Sequence, residues 1–165
     1  MDLLGFGDNS ESVLKDSGVC RVIPPEPKDF NFYVDAAVRG NDAYIAVVVF
    51  DKAGGFVDAL SAKAAIESAL EAECLALCHA FSMCSKWGCR EANFFSDCLQ
   101  LIAAIHKNAI PVWQLCSLFL HLFNSLSFVA HGCVFWLSRS ANSVAHNVAA
   151  WAASHNVCRP CWKGK

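Results

Sequence analysis

The sequence predicts one α/β domain with a five-stranded mixed sheet, in which three strands are antiparallel, two are parallel and helices cover both faces. Two observations lead to this fold class. The first half of the chain holds three β-rich runs, and the second half alternates short apolar strands with helical patterns. The chain has 165 residues and is 55% hydrophobic, which suits one buried core rather than two ordinary domains.

The first three strands are predicted from runs rich in β-branched and aromatic residues, at 32–37, 44–50 (YIAVVVF) and 56–61. Asp51-Lys52-Ala53-Gly54-Gly55 predicts a hairpin turn before the third strand.

A helical pattern follows from Ala62 to Lys86, and Gly88 is its expected stop. Lys63, Glu67 and Glu71 recur every four residues, so we expect them on the solvated face, with Lys63 able to pair with Glu67.

The rest of the chain alternates between the two patterns. The predicted elements, in order, are a strand at 93–96, helices at 98–107 and 112–126, a strand at 128–137 and a helix at 141–154.

Domain limits follow from composition. Residues 1–29 are polar and end in IPPEPKD, whose three prolines predict a flexible linker. We therefore expect the domain at 30–155 and a C-terminal tail at 156–165. His155, at the end of the domain, and Cys158 and Cys161, in the tail, are three potential zinc ligands where a closed site needs four, so zinc binding and a plain solvated tail both remain open.

The composition excludes several classes of protein. The formal net charge of -2 gives no electrostatic support for nucleic-acid binding. No clean apolar stretch of 18 residues predicts a membrane span, and the N-terminus lacks the pattern of a signal peptide. We therefore expect an intracellular protein, nuclear or cytoplasmic, whose ten cysteines are reduced.

Three carboxylates mark the candidate site. Asp35 interrupts an apolar strand, where an unpaired buried carboxylate would be costly. Glu73 lies two residues, or about 200° of helical rotation, beyond Glu71, on the side expected to face the sheet. Asp97 follows a strand and opens a helix. Clustered carboxylates repel one another unless cations hold them, and Mg²⁺ is the usual cation for oxygen ligands.

Two of the three acids also have an ordinary structural explanation. Glu73 could lie at the solvated edge of the helical stripe, and Asp97 could be an N-cap in a box with Gln100.

Four segments in order, YVDAA, LEAECLALCHAF, FFSDCLQLI and WLSRSANSVAHNVAAWA, resemble blocks of the ribonuclease H-like fold. The chain is similar, over about residues 27–155, to the plant reverse-transcriptase-associated type 1 ribonuclease H-like domains related to non-LTR retroelements. The resemblance implies a two-metal endonuclease, using Mg²⁺ or Mn²⁺, that cuts the RNA strand of an RNA–DNA hybrid. It also implies that Asp35, Glu73 and Asp97 bind the metal ions. We expect the domain to act as a monomer.

The chain departs from the family at its fourth acid. The last helix carries Ala145-His146 where the family has Ala-Asp, so His146 occupies the fourth catalytic position or is a partly exposed bystander. Arg139 and Asn142 could bind nucleic-acid phosphate or cap the last helix. The missing acid and the non-basic charge support an alternative function, namely a domain that binds nucleic acid or a protein partner without appreciable cleavage.

Overall fold

The computed structural model describes residues 25–158, and these form one five-stranded sheet with four α-helices. The strands are β1 (Phe30–Arg39), β2 (Asp42–Asp51), β3 (Phe56–Ala65), β4 (Glu91–Ser96) and β5 (His131–Trp136). The helices are α1 (Ala69–Lys86), α2 (Leu99–His106), α3 (Cys116–Ser127) and α4 (Ser143–His155), and a 3₁₀ turn at Trp113–Leu115 precedes α3.

The strand order is β3-β2-β1-β4-β5. β1 pairs antiparallel with β2 and parallel with β4, while β2–β3 is antiparallel and β4–β5 is parallel. The predicted mixed sheet of three antiparallel and two parallel strands is therefore confirmed. Hairpins join the antiparallel strands, and Gly40, with φ +60°, begins the short β1–β2 turn.

Helices cover both faces of the sheet. One face packs against α1, and its core includes Phe32, Phe94 and Phe81, whose rings stack or meet edge to face. The other face packs against α4, whose end is fixed by a hydrogen bond from the Tyr44 hydroxyl to Asn156 Oδ1 (2.6 Å). Because β2 lies between the two layers, seven consecutive residues, 43–49, are buried.

A row of aromatic rings crosses the sheet on the side of α4, with one ring from each strand. Neighbouring ring centroids are 4.8 to 6.3 Å apart. In strand order the residues are Phe56, Phe50, Tyr33, Phe95 and Phe135.

The prediction of a helix from Ala62 is wrong for its first seven residues. Ala62–Ala65 continue β3, because this segment pairs with β2 as far as Asp42. Lys63 therefore forms its ion pair with Asp42, at 2.9 Å, and not with Glu67. The four-residue spacing of charges predicted a helix here, but strand pairing in the long β2–β3 hairpin determined the structure.

Two other boundaries differ. Phe128 ends α3 instead of beginning a strand, and β5 starts at His131. Residues 25–29 of the predicted linker are attached to the domain, since the Glu26 carbonyl accepts a hydrogen bond from Asn93 Nδ2 (3.0 Å). Residues 1–24 and 159–165, including Cys161, lie outside the described residues.

Candidate metal centre

The three predicted acids come together although they lie on three different elements. Asp35 is on β1, Glu73 is on α1, and Asp97 directly follows β4. One carboxylate oxygen from each lies within 4.8 Å of the others. This is the one group of three or more potential metal-ligating side chains within residues 25–158. β1 and β4 are parallel neighbours, which brings Asp35 and Asp97 to the same end of the sheet.

Glu73 is positioned by the start of α1. The Ser68 hydroxyl accepts a hydrogen bond from the Glu71 backbone N–H (3.1 Å), and Glu71 Oε2 accepts one from the Glu67 N–H (2.8 Å). This reciprocal arrangement is a capping box, displaced by one residue, and it fixes where the helix begins. Ala72 and Ala76, on either side of Glu73, are buried against the sheet.

Two carboxyl groups of the cluster have raised pKa values, because they are buried and lie close to other carboxylates. Burial first, and then the negative charges of Asp35 and Asp97, raise the pKa of Glu73 to about 9. Burial also raises the pKa of Asp35, while its hydrogen bond with His146 opposes the rise. The Glu73 carboxyl group is therefore protonated at neutral pH unless a cation lies beside it.

His146 contacts Asp35. Its Nδ1 lies 2.8 Å from Asp35 Oδ2, and because an ionised carboxylate only accepts, this nitrogen carries the hydrogen. Asp35 is 1% exposed, whereas the His146 side chain is 40% exposed. The imidazole thus orients the innermost carboxylate, and it lies outside the group of three mutually close ligand atoms.

Arg139 and Asn142 have partners that the sequence did not indicate. Arg139 Nε donates to Asp97 Oδ2 at 3.0 Å. Asn142 is at the N-cap position of α4 but makes no capping bond there; it is 1% exposed, and its amide donates to the Val34 carbonyl (2.8 Å). The structure gives Asn142 a role in joining α4 to β1, and its burial does not support the expected contact with phosphate.

Sequence reasoning missed Trp136, which holds the Asp97 backbone. Its indole N–H donates to the Asp97 carbonyl (3.1 Å), and the Leu137 N–H donates to the Ser96 carbonyl (2.9 Å). A tryptophan at the end of an apolar strand is the signal that could have indicated it, because a buried indole N–H needs an acceptor. Asp97 is also not the N-cap of α2, since Cys98 is at that position.

The donor set fits a divalent cation. Three carboxylates supply hard oxygen ligands, and Glu73 Oε2 is buried without a hydrogen-bond partner. Asp35, Glu73 and Asp97 are the side chains that would hold such an ion. For the zinc alternative, His155 Nδ1 donates to the Trp151 carbonyl (2.8 Å), the His155 ring stacks on the Trp151 ring, and Cys158 is exposed.

A groove of about 430 Å³ adjoins this site. Its floor includes Tyr33 and Phe95, which precede Asp35 and Asp97 by two residues and so share their sheet face. Ala141, just before α4, and Val144, in its first turn, also line the groove.

Comparison with solved structures defines the class of fold. RNase H1 from the halophilic archaeon Halobacterium salinarum NRC-1 superposes with a TM-score of 0.71 at 19% identity, over 76% of this chain and 98% of that one. LC11-RNase H1, from compost, in complex with RNA/DNA hybrid, gives a TM-score of 0.69 at 19% identity, over 77% of this chain and 98% of that one. The protease-reverse transcriptase of prototype foamy virus gives 0.64 at 15% identity, over 84% of this chain and 22% of that one. This is the ribonuclease H-like fold.

The sequence identifies the family. Residues 32–152 match the family model described as reverse transcriptase-like, so the chain belongs to the reverse transcriptase-like family. No curated protein matches the sequence. Within residues 25–158, no helix is long and apolar enough to cross a membrane.

Proposed function

We propose that this protein is a metal-dependent endonuclease that hydrolyses the RNA strand of RNA–DNA hybrids. The observation that carries the proposal is the convergence of Asp35, Glu73 and Asp97 to within 4.8 Å, with one buried Glu73 oxygen lacking a partner. The ribonuclease H-like fold and a structural neighbour described in complex with RNA/DNA hybrid support this substrate. The motif resemblance further supports derivation from a plant retroelement.

Each side chain has a distinct role in this proposal. The three carboxylates would hold the two divalent ions, Mg²⁺ or Mn²⁺, that the family resemblance implies. Such ions polarise a phosphoryl oxygen and lower the pKa of a bound water. His146 holds the Asp35 carboxylate in orientation through its 2.8 Å hydrogen bond. Contacts to 2′-hydroxyls in the wide minor groove of the hybrid would distinguish RNA from DNA.

Cleavage of a labelled RNA strand tests this proposal. We expect hydrolysis of RNA in a hybrid with DNA, dependent on Mg²⁺ or Mn²⁺ and abolished by chelator, with single-stranded RNA and duplex DNA left intact. Glu73→Gln should lower the initial rate by roughly 100-fold or more, because it removes a metal ligand. Glu71→Gln is the matched control, since glutamine can still accept the hydrogen bond from Glu67.

Two outcomes contradict the proposal. The first is equal rates for the Glu71 and Glu73 variants, and the second is cleavage that chelator does not affect. Crystals soaked in Mn²⁺ give a direct structural test, with metal density expected between Asp35 and Asp97.

A second candidate function is binding without cleavage. The groove beside the site, with its floor of aromatic rings, favours it, because aromatic faces stack against nucleobases and pack against apolar protein side chains. A protein that binds the hybrid but gives no cleavage with either metal would select this candidate.

A further inference from the structure

The ion pair between Arg139 and Asp97 joins groups of very different exposure. The Asp97 side chain is 5% exposed, whereas that of Arg139 is 71% exposed. The bond has an ordinary length, 3.0 Å, and its acceptor is Asp97 Oδ2. The guanidinium therefore reaches the acidic cluster from the solvent side.

A cation held by Asp97 competes with Arg139 for the same carboxylate. A divalent ion and a guanidinium on one carboxylate repel each other, and solvent around the exposed guanidinium makes this repulsion moderate. Arg139 thus lowers the affinity of the cluster for metal ions as long as this pair persists.

The backbone around Arg139 is anchored, while its side chain is mostly exposed and is held by the bond to Asp97. The segment between β5 and α4 is fixed at one end by the Leu137 bond to Ser96 and at the other by the Asn142 bond to Val34. Trp136 adds a bond to the Asp97 carbonyl. Release of Asp97 by Arg139 therefore needs only a change of side-chain rotamer.

We propose that Arg139 is an exchangeable counter-ion, which pairs with Asp97 in the free protein and transfers to a backbone phosphate when nucleic acid binds. Guanidinium groups match phosphate oxygens through two parallel hydrogen bonds, so the phosphate is a suitable second partner. The exchange frees Asp97 for the metal ion. Nucleic acid and metal then bind cooperatively, and linkage requires each to tighten the other by the same factor. This inference rests on the proposed function, because it assumes a phosphodiester ligand at the carboxylate site.

Mn²⁺ titration, followed by electron paramagnetic resonance, tests the exchange without any measurement of activity. Arg139→Ala should tighten Mn²⁺ binding about threefold to tenfold in the absence of nucleic acid. Arg139→Gln, which keeps a donor amide but loses the charge, should do the same and serves if the alanine variant folds poorly. Arg90→Ala is the control, because Arg90 is exposed and directly precedes β4, at the end of that strand away from Asp97.

The second arm adds a hybrid of DNA with 2′-O-methyl RNA, which resists cleavage. With this hybrid bound, wild-type protein should bind Mn²⁺ more tightly than without it, by about the factor expected for Arg139→Ala in the absence of nucleic acid. The hybrid should change the Mn²⁺ affinity of the Arg139→Ala variant very little. Unchanged Mn²⁺ affinity in both Arg139 variants overturns the counter-ion role alone, provided that Glu73→Gln still weakens Mn²⁺ binding. Mn²⁺ binding that Glu73→Gln does not weaken instead overturns the proposed metal site itself.

Discussion

At the scale of single residues, the Glu73 carboxyl group determines how the site responds to pH. Its pKa is about 9 in the folded protein, against an ordinary value of 4.5. Between these values the folded protein keeps a proton that the unfolded chain releases. The stability associated with this proton is fully present below about pH 4.5 and is lost as the pH rises through about 9.

Glu73→Gln should therefore stabilise the protein in chelator, and the gain should grow with pH. We expect almost no difference from wild type near pH 4.5 and at least about 1 kcal/mol at pH 8, which corresponds to a few degrees in melting temperature. Thermal melts across this range measure it. Glu71→Gln should show no such trend, and a Glu73→Gln effect that does not vary with pH would contradict the assignment.

A substitution at His146 should lower the stability of the protein in chelator, whereas Glu73→Gln should raise it. His146→Asp replaces the donor to Asp35 with a further carboxylate, so the variant should melt below wild type in chelator. Mg²⁺ should then raise its melting temperature more than it raises that of wild type, because a fourth oxygen ligand has been added. His146→Asn, which keeps a donor without adding charge, is the control. Identical responses of the Asp and Asn variants to Mg²⁺ would mean that position 146 lies beyond the reach of the ion.

The sequence located the three acids but not their partners. Each acid has a local signal in the sequence. Asp35 interrupts an apolar strand, Glu73 lies on the apolar side of a helix, and Asp97 stands at the junction of a strand and a helix. The pairs of Asp35 with His146 and of Asp97 with Arg139 span 111 and 42 residues. Contacts of that separation depend on how the elements pack, which local periodicity does not report.

At the scale of elements, the start of α1 shows how a charge pattern misleads. The four-residue spacing of Lys63, Glu67 and Glu71 predicted one helical face, but the three residues belong to a strand, a connector and a helix. Glu73 nevertheless faces the sheet as predicted, because that prediction depends only on its rotation from Glu71, and both residues lie in α1. The signal that was overlooked is Ser68, a good N-cap residue three positions before Glu71.

Loss of this cap should weaken the domain. Ser68→Ala removes the acceptor for the Glu71 N–H and should cost about 1 kcal/mol of unfolding free energy, or a few degrees in melting temperature. Ser117→Ala, at an exposed position in the first turn of α3, should change stability by less than about 0.5 kcal/mol. The two variants are compared by urea denaturation. Equal midpoints would show that α1 is held by its packing alone.

At the scale of the whole molecule, the order of elements was predictable while several of their ends were not. Strands joined by short turns run antiparallel, and strands joined through a helix run parallel, so chain order predicts the strand directions of the mixed sheet. It does not predict that β4 lies beside β1 and not beside β3. The ends depend on long-range pairing, as in β3, which runs four residues past its predicted end because β2 supplies partners as far as Asp42. The same sheet brings Asp35, on β1, close to Asp97, which directly follows the adjacent strand β4, so the fold itself assembles the site.

The overall charge leads to a last prediction, on the salt dependence of binding. A protein that contacts six to ten phosphates loses about 10³ to 10⁵ in affinity between 50 and 200 mM salt. This chain has a formal net charge of -2, and Arg139, the basic side chain that reaches its acidic cluster, already has a carboxylate partner. We therefore expect few phosphate contacts and a slope of log affinity against log salt of about -3 or shallower.

Fluorescence anisotropy with a labelled RNA–DNA hybrid measures this slope, and Asp35→Asn protein prevents cleavage during the titration. Arg139→Ala should make the slope shallower by about one unit, because one phosphate contact is lost. Arg90→Ala, as the control, should leave it unchanged. A slope near -8 would mean that a basic surface carries the binding, and the net charge would then be a poor guide to how this protein holds its ligand.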